Sequence, residues 1–308
     1  MTSRSRSAST ALAGLTAAAL VLAACGNGER AAPGDEVKVV VSTSVWGSVV
    51  QAVAGDAVEV ESIIDDPSAD PHSYESTPRD AAEVTDADLV VFNGGGYDEF
   101  IEQILGSGGG KPTVSAVESE HEGEHAGHDH DHAQNEHVWY DLHVVQEVAD
   151  RVAAELGRLR PAQAEQFRQA AERFRGEVGA LQTQVDEIAA AHRDRPVIVT
   201  EPIAHYLVEA AGLRDITPPS FVNAVEAETD PSAAAVAELQ NALGSGQAAA
   251  VIHNPQTESP VTRTVRSTAE QQGIPVVEMT ETPPPGATYV QWMGGQIAAL
   301  RNALDQER

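Results

Sequence analysis

The sequence predicts an α/β protein of two lobes, each built on a mainly parallel sheet flanked by helices, joined by one long backbone helix. Three observations carry this expectation. Short β-rich runs alternate with helix-capable stretches in two separate series, and strands separated by helices argue for parallel sheets covered on both faces. Between the two series runs an unbroken apolar seam with the period of a single helix. The chain has 308 residues, 42% of them hydrophobic, which is enough for two ordinary domains with a buried core.

The first 24 residues read as a lipoprotein signal peptide. A basic start at Arg4 and Arg6 is followed by an apolar run from Ala11 to Ala24. That run is too short and wrongly flanked for a working transmembrane span. The ending Leu22-Ala23-Ala24-Cys25 resembles a bacterial lipobox, in which the cysteine becomes the lipidated first residue of the mature chain. Cys25 is the only cysteine, so neither a disulfide nor a thiolate metal site is available. Residues 25–36, GNGERAAPGDE and its leading Cys, read as a flexible tether.

An N-terminal lobe is expected over residues 37–160. VKVVVSTS, AVEVESII, ADLVVFNG and KPTVSAV are its β-rich runs. In DDPSADPHSYESTPRDAAEV, two X-Pro turns bracket His72, and Thr77 caps a helix that Pro78 begins. The Gly-rich GSGGGKPT is a loop, since Pro112 stands where a phosphate loop requires Ser or Thr.

Residues 118–136 form a histidine-rich stretch that leads into His137. HEGEHAGHDHDHAQNEH contains His121, His125, His128, His130 and His132, and HEGEH matches the zinc-protease signature H-E-x-x-H. A zinc protease needs both histidines on one face of a docked helix. Gly123, Gly127 and acidic flanks leave nothing apolar to dock. The stretch reads instead as a mobile loop that collects metal weakly, with an inert solvated loop as the alternative. His137 differs, because HVWYD brings bulky residues that can be buried.

The long linking helix is expected over 161–194. Phe167, Ala171, Phe174, Val178, Leu181, Val185 and Ile188 alternate spacings of four and three. Pro161 suits a helix start, and Pro196 follows the end. A coiled-coil dimer would explain the seam, but one helix lying across both lobes needs no partner, and a monomer is expected. The second lobe, 195–308, carries the β-rich runs RPVIVTE, AAAVIHN and IPVVEMT.

A net charge of −28 excludes nucleic acid as a partner, because phosphate binding needs clustered Lys and Arg. Acidity suits a soluble protein that attracts cations, or simply colloidal solubility.

Four segments carry a family resemblance. They are STSVWGSVVQAVAGDAVEVESIIDDPSADPHSYESTPRDAAEVTDADLVVFNGGGYDEF, EHVWYDLHVV, VTEPIAHYLVEAAGL and ETPPPGATYVQWM. In this order they resemble the zinc/manganese solute-binding proteins of ABC metal importers over nearly all of the mature chain. D-P-H-x-Y-E and H-x-W-x-D are the specific elements, and the later two are looser.

The resemblance implies two α/β lobes, a rigid linking helix and one metal ion in the interlobe cleft with four ligands, two from each lobe. His72 and His137 match the family's first two ligand histidines. Glu201 matches the third position, which is His in many zinc members, and His205 stands four residues on as its competitor. Glu281 stands at the fourth position, with Glu278 as the alternative inside a strand. Two imidazoles and two carboxylates suit Zn²⁺, with Mn²⁺ as the alternative. Glu201 points toward manganese, while the histidine-rich loop points toward zinc.

Asp141 either holds the His137 imidazole or caps a helix, and Asn254 ends a strand that faces the cleft. His143, His192 and His253 read as ordinary polar residues. The implied function is extracytoplasmic, lipid-anchored capture of a divalent metal for a permease and its ATPase subunit, without catalysis. A secreted zinc hydrolase resting on HEGEH, or a metal-binding adhesin, are the other readings.

Overall fold

The structure, a computed structural model, describes residues 37–67, 69, 71–107, 110–117, 135–227 and 229–306. The expected signal segment, Cys25, the tether, and the histidines from His121 to His132 lie outside these residues.

The first lobe is built on β1 (Lys38–Thr43), β2 (Glu59–Ile64), β3 (Leu89–Phe92) and β4 (Thr113–Ser115). They lie in the order β2-β1-β3-β4, and every pairing is parallel. The connections are made by α1 (Ser44–Ala54), α2 (Pro78–Asp86) and α3 (Glu99–Ser107). Strand side chains alternate between faces. Val39 and Val41 enter the main core, whereas Val40 and Val90 join a smaller cluster with Val84 and Ile101. That two-sided burial is why these strands read as continuous apolar runs.

Thr77 caps α2, as its sequence predicts. Its hydroxyl accepts from Asp80 N at 3.3 Å, and Asp80 Oδ2 accepts from Thr77 N at 2.7 Å. Pro78 costs nothing in the first turn, where its missing N–H has no intrahelical partner to lose.

After α4 (Leu142–Leu159), a 3-10 turn at Pro161–Gln163 leads into α5 (Ala164–His192), which has 29 residues. The helix therefore starts three residues later than Pro161 suggested, and it spans about 44 Å. All seven seam residues are buried. α4 and α5 pack along each other, and α5 also packs on α1.

The second lobe repeats the plan with β5 (Pro196–Val199), β6 (Arg214–Asp215), β7 (Ala250–His253) and β8 (Val276–Glu278). Its order, β6-β5-β7-β8, is again parallel throughout. Around it lie α6 (His205–Ala210), α7 (Pro219–Glu226), α8 (Ala233–Gly244), α9 (Pro260–Gln271) and α10 (Tyr289–Leu304). The edge strand β6 was not legible in the sequence: two exposed polar residues carry no apolar pattern.

One core cluster runs from Val39 and Val91 through Phe174, Val178 and Leu181 of α5 to Val197 and Ile252. The linking helix is thus a shared core element of both lobes, and its apolar face is covered within this chain. Among the described residues, no helix is long and apolar enough to cross a membrane.

Candidate metal centre

Segments that leave the carboxyl ends of strands in both sheets converge on one place. His72 sits in a 3-10 turn (Pro71–Ser73) beyond β2, and Tyr97 follows β3. Glu201, Asn254 and Glu281 follow β5, β7 and β8. His137 immediately precedes a 3-10 turn, Val138–Tyr140, that leads into α4. The region beyond the carboxyl ends of parallel strands is where open α/β sheets bind ligands.

His72, His137 and Glu281 each offer one ligand atom, and these atoms all lie within 4.8 Å of one another. Glu281 Oε1 is 3.6 Å from Nε2 of His72 and 3.6 Å from Nε2 of His137. Four tetrahedral donors at zinc bond lengths stand about 3.3 Å apart, close to the two 3.6 Å spacings to Glu281. Among the described residues His137 Nε2 is buried without a hydrogen-bond partner, and Glu281 is fully buried. An orphaned nitrogen aimed at a buried carboxylate is the arrangement a divalent cation would complete.

Each imidazole is held at its far nitrogen. Glu136 Oε1 lies 3.1 Å from Nδ1 of His72. Asn135 Oδ1 lies 3.1 Å from Nδ1 of His137 and also accepts from the His137 backbone N–H at 2.9 Å. In both rings Nε2 faces Glu281 Oε1, and contacts at the far nitrogen of this kind orient a ligand imidazole. Asn135 additionally reaches the second lobe: its Nδ2 donates to Pro202 O at 3.1 Å, and Tyr206 OH donates to its carbonyl at 2.7 Å.

Glu201 stands beside this cluster and is buried. Asn254 Nδ2 donates both to Glu201 Oε1 and, at 2.7 Å, to Glu281 Oε1, so one amide ties the two carboxylates together. Thr257 Oγ1 donates to Glu201 Oε2. Gln256 Oε1 accepts from Glu281 N at 2.6 Å, while its Nε2 donates to Pro67 O at 2.7 Å. The strand-end segment Asn254–Thr257 thus braces both acidic residues.

Three alternatives from the sequence fall elsewhere. His205 is the first residue of α6, its side chain is 52% exposed, and its nearest acidic partner is Glu209 at 3.8 Å. The intervening turn Pro202–Ala204 carries it away from Glu201. Glu278 lies in β8 and pairs with Arg266 at 3.7 Å. Asp141, a candidate support for His137, instead caps α4, accepting from His143 N at 2.9 Å and Val144 N at 3.4 Å. A short side chain at a helix start meets those free N–H groups first. Asn135 takes the role assigned to Asp141.

The electrostatics are those of an acidic site balanced by positive charge. Burial works against a charge on His72, but hydrogen bonds to Glu136 and Glu281 outweigh it and hold the imidazole up to about 11. Burial also opposes a charge on Glu281, yet His137 and His72 prevail and keep its carboxyl well below the usual range. Glu201 moves the other way, pushed up to about 7 by burial and then by the neighbouring Glu281. A carboxylate buried beside a second carboxylate retains its proton in just this way.

Asn135, Glu136, Tyr97 and Thr257 were not identified from the sequence. The only signals were the adjacency of Asn135 and Glu136 to His137, and a tyrosine directly after the three glycines, 94–96, that follow β3.

Comparison with known proteins gives a consistent picture. The family model for "ZnuA: Zinc-uptake complex component A periplasmic" matches residues 39–303. The high-affinity zinc uptake system protein ZnuA of Bacillus subtilis is 24% identical over 310 residues, covering 94% of this chain and 96% of its own length. The zinc-binding lipoprotein AdcA of Streptococcus pneumoniae is 23% identical over 312 residues; the match covers 94% of this chain but only 60% of that longer protein. The manganese-binding lipoprotein MntA of Halalkalibacterium halodurans is 27% identical over 204 residues, covering 63% of this chain and 65% of its own length. Among solved structures, the laminin-binding protein of Streptococcus agalactiae shares the fold, with a TM-score of 0.72 at 21% identity, covering 87% of this chain and 100% of its own.

Proposed function

This chain belongs to the family of periplasmic zinc-uptake complex component A proteins, and from that premise we propose that it captures Zn²⁺ outside the cytoplasmic membrane and delivers it to an ABC permease. The family consists of substrate-binding proteins of ABC import systems. The single observation that carries the reading is the meeting of His72, His137 and Glu281 within 4.8 Å, from segments far apart in the chain. Glu201 is the fourth ligand in this reading, brought to Glu281 by Asn254.

Two imidazoles and two carboxylates form a neutral set with a divalent ion, and at equal concentration raw affinity favours zinc over manganese. Manganese is the second reading, because the third donor is a carboxylate rather than an imidazole and harder ions prefer oxygen. Four protein donors leave no open position for an activated water, which a hydrolase would need. The chain is therefore a carrier in this reading, anchored through Cys25, acting as a monomer, with ATP hydrolysis in a partner subunit. Sharing α5 between both lobes limits wide hinge opening, so release requires the permease.

The test is metal competition on the chelator-stripped mature protein. His72→Ala or His137→Ala abolishes tight binding, and Glu201→Gln weakens it while His205→Ala does not. Deleting residues 119–132 lowers total stoichiometry but leaves the tight site. Tight binding that survives His72→Ala, or reproducible peptide hydrolysis, overturns the reading.

A further inference from the structure

Tyr97 joins the two lobes at the centre of the site. It follows the turn Gly94–Gly96, where all three glycines have positive φ, from 67° to 97°. A side chain at Gly94 would also place its Cβ 2.4 Å from Ser115 Oγ, so this turn is built of residues that let the chain reverse tightly. The turn delivers the Tyr97 ring into the interior, 5% exposed. The ring stands edge-on to His72 with centroids 5.1 Å apart, and packs on Trp139 at 4.8 Å. Its hydroxyl donates to Glu281 Oε2 at 3.1 Å.

The two oxygens of Glu281 therefore have separate duties. Oε1 faces both imidazole Nε2 atoms at 3.6 Å and also accepts from Asn254 Nδ2 at 2.7 Å, while Oε2 accepts from the phenol. A carboxylate can give a metal one oxygen or two. Zinc is satisfied by four donors in a tetrahedron. Manganese favours octahedral surroundings rich in oxygen, so it gains more from a second carboxylate oxygen.

We propose that Tyr97 is a specificity-determining positioning residue: by holding Glu281 Oε2 it limits that carboxylate to one oxygen at the ion and so disfavours manganese relative to zinc. The inference rests on the reading of His72, His137 and Glu281 as a divalent-metal site. Tyr97 touches no ion itself and acts through Glu281.

The experiment compares the chelator-stripped mature protein with Tyr97→Phe, which removes one oxygen and keeps the ring. Zinc and manganese affinities are measured by competition, and X-ray absorption of each loaded protein reports donor number. Loss of a contact that supports a ligand weakens zinc by about tenfold. Manganese is expected to hold its affinity, because the freed Oε2 becomes a donor, so the zinc-to-manganese ratio falls by about tenfold and the manganese donor count rises. A plain structural role weakens both ions by the same factor and leaves the ratio unmoved, which overturns the proposal. Two Glu281 oxygens on the metal in the unaltered protein also overturn it, independently of how the variant folds. His72→Ala separates the two levels. If that substitution abolishes binding and the Tyr97→Phe ratio is unchanged, only the role of Tyr97 falls; if it spares both ions, the site reading falls and Tyr97 with it.

Discussion

Glu136 Oε1 lies 3.1 Å from His72 Nδ1, so the residue beside one candidate ligand steers the other, 64 positions away in the chain. The Asn135-Glu136-His137 segment thereby fixes both rings at once, Asn135 acting on His137 and Glu136 on His72. Supporting contacts of this kind set the tautomer and raise the basicity of the ligand nitrogen. Glu136→Ala is expected to weaken zinc by about 10- to 100-fold without removing a ligand, measured by competition with a chelator of known affinity. No change in affinity would mean that His72 needs no steering.

Metal binding should release protons. In the metal-free protein His72 is held up to about 11 by its acidic partners, after burial has pulled it down, and Glu201 is pushed up to about 7 by burial and Glu281. At pH 7 the first is protonated and the second about half so. An ion that takes both positions displaces roughly one to two protons. Zinc affinity therefore rises with pH from 6 to 8. Titration calorimetry in buffers of different ionisation enthalpy reads the number directly, and zero proton release would exclude these two groups as donors.

The same shifts set the pH dependence of stability in the metal-free protein. Glu201 has a folded value above its unfolded one, so between about 4.5 and 7 the native state binds the extra proton. Stability consequently falls as pH rises through that window. His72 is also raised, so its contribution is full below about 6.5 and drains away as pH climbs toward 11. Glu281 is depressed, so its contribution is present above about 4.5 and is lost only in acid. The melting temperature in chelator should decline from pH 5 to pH 9, and saturating zinc should reverse much of that decline. Glu201→Gln should flatten the lower half of the curve, whereas an unchanged curve would show that Glu201 is not the titrating group.

The frame of the protein was legible because its pieces are periodic. Val39–Val41, Val197–Val199 and Ala250–Ile252 are buried on both faces of parallel sheets, and such strands are apolar runs in any sequence. The seam from Phe167 to Ile188 was legible for the same reason. The expected positions His72, His137 and Glu281 came from motif resemblance, and folding brings them together. What was not legible depends on side chains meeting across distant segments. Nothing local marks Tyr97 as the donor to a carboxylate 184 residues on, and Asn254, though expected to face the cleft, carried no sign that it would bridge Glu201 and Glu281. Asp141 shows the converse, since the nearest free backbone N–H groups claimed a carboxylate that motif spacing had offered to His137.

Where α10 crosses α5, packing can be tested by a pair of substitutions. A Cβ on Gly294 would stand 3.2 Å from Leu181 Cδ2, closer than an undisturbed contact, while Leu181 itself is 3% exposed. Leu181→Ala should cost about 2–5 kcal/mol, the range for emptying a buried leucine site. Gly294→Ala gains about 1 kcal/mol of helix propensity but must displace the leucine tip, so alone it should be close to neutral. In the Leu181→Ala background the obstruction is gone and the new methyl enters the space left behind. There Gly294→Ala should recover about 1 kcal/mol or more, read by denaturant unfolding of the metal-free protein. Additive effects of the two changes would show that the helices do not meet at this pair. Because α5 contributes to the core of both lobes, the loss should lower one shared unfolding transition, and separate transitions for the two lobes would contradict the continuous core.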